Sequence, residues 1–195
     1  MIDPTDITDF DLSVGELEER ILFWVLAAGK NGKQAAASLE RLCRMICPDR
    51  SEWERSPFAV IGWRVRRGPP KLSEWLQSAG IGCFNLKAEY IIDLIHSGIN
   101  LQTCTVDDLQ SIKGIGPKSA RCFLIHSRPN QRLAGLDRHL LHFMRDRGYV
   151  VPKQTPQSNK KYKEIEALAL EVADNLGLTP AEFDLGVWRK YSGNE

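Results

Sequence analysis

The stretch "SIKGIGPKSARCFLIHSRPNQRLAGLDRHLL", residues 111–141, decides how the chain is read. Gly114 and Gly116 flank Ile115, and Pro117 and Lys118 follow at once. Glycines permit positive φ or a close backbone approach, which a tight helix-to-helix turn needs. Ile115 can tuck back between the two helices, and Pro117 presets φ for the first turn of the second. The unpaired N–H groups of that turn then face outward at the positive end of the helix dipole. They form a seat for an anion, and a DNA phosphate is the natural occupant. Lys113, Lys118 and Arg121 add positive charge around it. An ordinary turn between helices accounts for the same glycines without any ligand. Lys118 then reads as a phosphate contact. Asp137, which opens "RHLLHFMRDR", reads as a helix N-cap.

Outward from this stretch the apolar periodicity is helical almost throughout. It predicts helices over residues 14–28, 33–47, 58–67, 72–79, 84–97, 106–112, 117–127, 138–147, 162–176 and 180–190. Ser13 with Glu16 reads as a capping box for the first, and Thr179 with Pro180 as the start of the last. Strand alternation is missing from the pattern. Residues 148–163 are the one long loop signal, rich in Pro, Gln, Ser and Lys. The expected fold class is therefore all-α, a bundle of about ten short helices.

Composition narrows the function classes. The 195 residues are 43% hydrophobic and 26% charged, enough for a true core. A net charge of +1 excludes a surface wholly devoted to polyanions, but not a local patch. No apolar run approaches the roughly 20 residues that span a bilayer, and the start "MIDPTDITDFD" is acidic, unlike a secretory leader. Five scattered cysteines then imply a reduced, intracellular protein. Cys43 and Cys47 lack two further partners for a metal, and the four histidines form no ligand motif, so no metal and no cofactor are expected. "WRVRRGPPK" (63–71) and the Lys-rich 153–163 read either as solvated faces or as a second phosphate track.

The pattern L-x-x-I-x-G-I-G-P-K-x-A, residues 109–120, resembles the helix-hairpin-helix motif. With Asp137 at the end of "SRPNQRLAGLD", it resembles the helix-hairpin-helix (HhH-GPD) superfamily of DNA glycosylases, whose lysine-bearing branch also has AP lyase activity. "CFNLKAEYI" (83–91), "KYKEIE" (161–166) and "LTPAEFDLGVWRKYSG" (178–193) look like the compact archaeal-type, second-class 8-oxoguanine DNA glycosylases. The resemblance runs over roughly residues 81–193. The chain closes on "YSGNE", where those enzymes tend to carry a basic tail, and the iron–sulfur loop of endonuclease III relatives is missing.

What the resemblance implies is a two-lobed glycosylase domain over 1–195, with its active site in the cleft. One lobe is residues 30–127, including the hairpin 106–127; the other is 1–29 with 128–195. Lys118 is the expected nucleophile, activated by burial or by the nearby cations Lys113 and Arg121. Asp137 is the expected electrostatic partner of the sugar. Phe84 and Trp188 are expected to sandwich the flipped base, with Asp184 holding a polar group of the pocket. Lys113, Gly114, Ile115, Gly116 and Arg121 are expected on the DNA backbone. Lys30, Asn31, Lys33 and Gln34 are candidates for the opposite strand. The implied partner is duplex DNA with a damaged base, bound by a monomer without a membrane. The implied activity is excision of an oxidised purine, 8-oxoguanine foremost, through a lysine Schiff base and β-elimination. The same chemistry on another modified base, or a non-catalytic DNA-binding adaptor, are the alternatives.

Overall fold

The computed structural model describes residues 1–192; residues 193–195, the end of the "YSGNE" stretch, lie outside it. The described residues form eleven helices and no strand. In order they are α1 Val14–Ala27, α2 Gly32–Ile46, α3 Arg50–Arg55, α4 Pro57–Arg66, α5 Leu72–Ser78 and α6 Phe84–His96. Then come α7 Val106–Gln110, α8 Pro117–Ser127, α9 Arg138–Asp146, α10 Asn159–Asn175 and α11 Pro180–Tyr191. None is long and apolar enough to cross a membrane.

The unexpected element is α3. Its six residues are too few to display a period, and Pro48 reads as a stop. Its local signal is Asp49, whose carboxylate accepts from Ser51 N–H as N-cap. Trp53 then plugs the first core, its indole N–H donating to Glu19 at 2.9 Å.

Two apolar clusters hold the chain together. The first runs from Ile2 to Leu124 and takes in Leu185 of α11, with α1 at its centre; Ile21, Leu22 and Leu26 are wholly buried. The second is built from Ala134 to Val187, on α9, α10 and α11. The expected grouping of residues 1–29 with 128–195 is thereby corrected. The end of α1, "ILFWVLA", is apolar on every side, and such a helix must be surrounded. Its neighbours are α2, α3, α4, α6 and α8, so α1 belongs to the first cluster.

The hairpin is α7, its turn and α8. Thr105 and Asp108 form a capping box at the start of α7. Ile115 is buried between the helices as its position demanded. The C-terminal half of α1 crosses α8, and α11 packs on both α8 and α9. The starts of α8 and α9 are thus brought to one place, beside the end of α1.

Candidate active site

At that junction lies a cavity of about 610 Å³. Its wall includes Lys118 from the first turn of α8, Asp137 from the start of α9, and Asp184 and Trp188 from α11. Trp24, from α1, is also in the wall, with the Lys118 amine 4.8 Å from the centre of its ring. Such a ring face favours the charged form of an amine.

Asp137 does two things at once. Its Oδ1 accepts from the N–H groups of His139 and Leu140, both at 2.9 Å, which caps α9. The same carboxylate faces the Lys118 charge: burial pushes its pKa up, Lys118 opposes the rise, and Asp184 adds to it. Asp184 is fixed from the other side. His126 Nε2 stands 3.1 Å from Asp184 Oδ2, and His126 Nδ1 is 2.8 Å from Thr8 Oγ1. The imidazole also stacks on Trp24, ring centres 6.0 Å apart.

The expectation that neighbouring cations depress the Lys118 pKa is corrected. Burial lowers it, whereas the acidic groups Cys122, Asp137 and Asp184 favour the charged amine, and no neighbouring cation acts on it. Cys122 remains a neutral thiol, because burial raises its own pKa well above the usual range. The carboxylates of Asp137 and Asp184 are therefore the working counter-charges. The two proposed cations are occupied elsewhere. Lys113 pairs with Glu89 at 3.7 Å on the surface.

Arg121 is also corrected as a DNA contact. It is 5% exposed, with Nε and Nη2 on the two oxygens of Glu166 at 2.6 and 3.2 Å. Its third bond goes to the carbonyl of Pro117 at 3.2 Å, and the guanidinium lies 4.2 Å over the ring of Tyr162. A guanidinium buried in a bidentate carboxylate pair is turned into the protein and away from a phosphate on the surface.

The hairpin glycines differ in kind. Gly114 has φ +90°, and a Cβ there would meet the Tyr90 ring at 2.2 Å, so both its freedom and its size are used inside the protein. Gly116 has φ −83° and ψ 173°, which any residue adopts, and a Cβ would meet nothing within 4 Å. Nothing inside the fold requires glycine at 116, and the N-terminus of α8 is left clear there. Gly114→Ala is thus expected to destabilise the fold by roughly 1–3 kcal/mol from the backbone alone. Gly116→Ala should cost well under half of that, and thermal melting of the two variants checks the order.

The remaining expected residues divide between those at the cavity and those apart from it. Lys30, Asn31 and Gln34 line it, whereas Lys33 is exposed and outside its wall. Asn31 also caps α2, accepting from Lys33 N–H at 2.9 Å, and Lys30 donates to the Gly80 carbonyl. Phe84 does not line this cavity; it stands half-buried against the first core, at the start of α6. The aromatic residues of the wall are Phe23, Trp24 and Trp188. Trp24 went unnoticed because its spacing in α1 marks it as core, and His126 because its partners are remote in sequence. Among the described residues no cluster of His, Cys, Asp or Glu could hold a metal ion.

The loop before Asp137 has no regular structure, and side chains from afar supply its hydrogen bonds. Ala134 N–H donates to Glu166 Oε1 at 2.9 Å. The Tyr162 hydroxyl donates to the Ala134 carbonyl and accepts from Leu136 N–H, both at 2.9 Å. Thr155 Oγ1 donates to the Leu136 carbonyl at 2.7 Å. Gly135 permits this course, since a Cβ there would lie 2.2 Å from Cys122 Sγ.

A family model described as Ogg-HhH, 8-oxoguanine DNA glycosylase, matches residues 65–178, the span that holds both Lys118 and Asp137. An 8-oxoguanine DNA glycosylase/AP lyase of Methanocaldococcus jannaschii is 29% identical over 132 residues, covering 63% of this chain and 63% of that protein. One from Metallosphaera sedula is 34% identical over 133 residues, covering 63% and 64%. The chain thus matches less than two thirds of the length of these relatives. The fold is shared with the crystal structure of the 8-oxoguanine DNA glycosylase of Thermotoga maritima. There the TM-score is 0.71 at 24% identity, covering 92% of this chain and 81% of that one. The M. jannaschii 8-oxoguanine glycosylase/lyase in complex with a 15mer DNA containing 8-oxoguanine gives a TM-score of 0.65 at 24% identity, covering 94% and 84%. With its hairpin, its Lys118 and its capping Asp137 inside the matched span, the chain belongs to the Ogg-HhH family of 8-oxoguanine DNA glycosylases.

Proposed function

We propose that this chain is a DNA glycosylase with AP lyase activity that removes 8-oxoguanine from duplex DNA. The observation that carries the reading is the amine of Lys118 and the carboxylate of Asp137 facing one cavity at the tip of the hairpin helix. A base inside a duplex is beyond reach, so the damaged nucleotide must rotate out and enter the cavity. The cavity falls within the ~300–1,000 Å³ typical of small-molecule pockets. Trp188 offers the base a flat face from α11.

The chemistry follows from the charges. Breaking the N-glycosidic bond develops positive charge on the sugar, which Asp137 stabilises. The neutral amine of Lys118 attacks C1′, the base departs with the bonding pair, and an imine forms with the opened sugar. Loss of a C2′ proton then expels the 3′ phosphate by β-elimination. The amine rests protonated and must shed its proton first; the departing base needs one, so the two demands balance. The outer face of the hairpin turn, at Gly116, seats a backbone phosphate. Replacing Gly116 with valine should then weaken binding to all duplexes alike and reduce the salt slope of log K by about one.

The adaptor reading fits poorly, because a phosphate clamp has no use for a lysine held between two inward carboxylates. Incubation with duplexes carrying one lesion each, with and without borohydride, tests the proposal. Excision and a trapped adduct on 8-oxoguanine support it; an adduct on a different lesion alone moves the substrate. Trp188→Ala is expected to lose stacking of roughly 1–3 kcal/mol on the lesion duplex, and far less on an abasic duplex. Equal losses on both, measured by titration, would make Trp188 a packing residue.

A further inference from the structure

We infer that Tyr162 and Glu166 are positioning residues, which hold the Asp137 carboxylate in register with the Lys118 amine. This rests on the glycosylase reading above. The two side chains lie one turn apart on α10, and neither lines the cavity. They meet both reactive groups indirectly. From the lysine side, Arg121 bonds to the carbonyl of Pro117, the residue before Lys118, and passes its charge to both oxygens of Glu166. From the aspartate side, Glu166 Oε1 takes Ala134 N–H, and the Tyr162 hydroxyl bridges Ala134 carbonyl and Leu136 N–H. Leu136 immediately precedes Asp137, whose own N–H closes back on the Gly135 carbonyl at 2.6 Å.

Without this network the segment would have no fixed course. Buried backbone groups must find partners, and here no helix or sheet supplies them. Tyr162 is 1% exposed, so its ring cannot swing away. Burial pushes its pKa up, which keeps the hydroxyl proton available for the Ala134 carbonyl. A rigid phenol and a bidentate carboxylate thus set the separation of two residues that come from different segments. Small displacements of a reacting group matter: about 1 Å can cost about 10²-fold in rate.

Tyr162→Phe removes one oxygen and keeps the ring. In single-turnover assays on an 8-oxoguanine duplex, excision is expected to fall by about 10- to 100-fold. Borohydride trapping on a pre-formed abasic duplex needs Lys118 but no base departure, so it should stay within about twofold, as should duplex affinity. A purely structural role would lower both activities by one factor, the loss of folded protein. Thr155→Val removes the partner of the Leu136 carbonyl and gives the same split should the Tyr162 variant not fold; because Thr155 also lines the cavity, Thr155→Ser, which keeps the hydroxyl bond, should restore excision. Unchanged excision in the folded variants, or equal loss of excision and trapping, overturns the inference. Wild-type protein inert on every lesion and on abasic DNA overturns the glycosylase reading, and this inference with it.

Discussion

Replacing Lys118 with glutamine is expected to abolish the borohydride-trapped protein–DNA adduct and strand cleavage together. Both need a primary amine at C1′, and glutamine cannot form an imine. Much of the DNA affinity should remain, because the phosphate seat at Gly116 is untouched and the amide still hydrogen-bonds. The variant loses the cation shared by Asp137 and Asp184, so its melting temperature should fall; circular dichroism at the assay temperature confirms folding. In the wild type, adduct formation should rise with pH, since the raised pKa leaves most of the amine protonated near neutrality. One other lysine, Lys30, lines the cavity, and its amine is engaged by the Gly80 carbonyl. A Lys118→Gln protein that still traps DNA would sink the assignment of the nucleophile to Lys118.

Asp137→Asn should slow base excision by an amount equivalent to about 2.7–4 kcal/mol, the scale of losing one electrostatic stabiliser. Asparagine caps a helix about as well as aspartate, so His139 and Leu140 keep their acceptor and the fold should persist. The same change removes one of the two carboxylates that hold Lys118 protonated. Its pKa should fall and more neutral amine should be present. A pre-formed abasic site, which needs the amine but no base departure, should therefore be cleaved with a much smaller defect. Gel assays on the two substrates measure the split. Equal defects would mean that Asp137 acts only as a cap.

What was legible in the sequence is what local chemistry encodes. Glycine, isoleucine, glycine and proline in a row specify a turn, and the caps at Ser13, Thr105 and Thr179 mark helix starts. The all-helical class followed from period alone. Lys118, Asp137, Asp184 and Trp188 stand at one cavity because they open or line helices whose ends converge there. What stayed hidden depends on pairs far apart in the chain. Arg121 reads as one more surface cation until Glu166, remote in sequence, takes its guanidinium. Phe84 and Trp24 have the same kind of helical spacing, and only the packed structure shows Trp24 in the wall and Phe84 against the first core. The acidic surroundings of Lys118 were hidden too, since Asp184 reaches it from α11, held by His126 of α8.

The glycine packed against Cys122 bears on how the site survives oxidants. Peroxide attacks the thiolate, and needs room for the incoming oxygen. Cys122 lies one helical turn beyond Lys118, is 1% exposed, and has its thiol pKa pushed far up by burial. Gly135 presses on its sulfur so closely that a single added carbon would collide at 2.2 Å. The sulfur beside the Lys118 amine is therefore chemically silent, neither ionised nor accessible. The exposed Cys83, at the start of α6 and outside the cavity wall, is the thiol that meets an oxidant first. Sulfur chemistry is thus directed to the periphery, and the amine keeps a redox-inert neighbour.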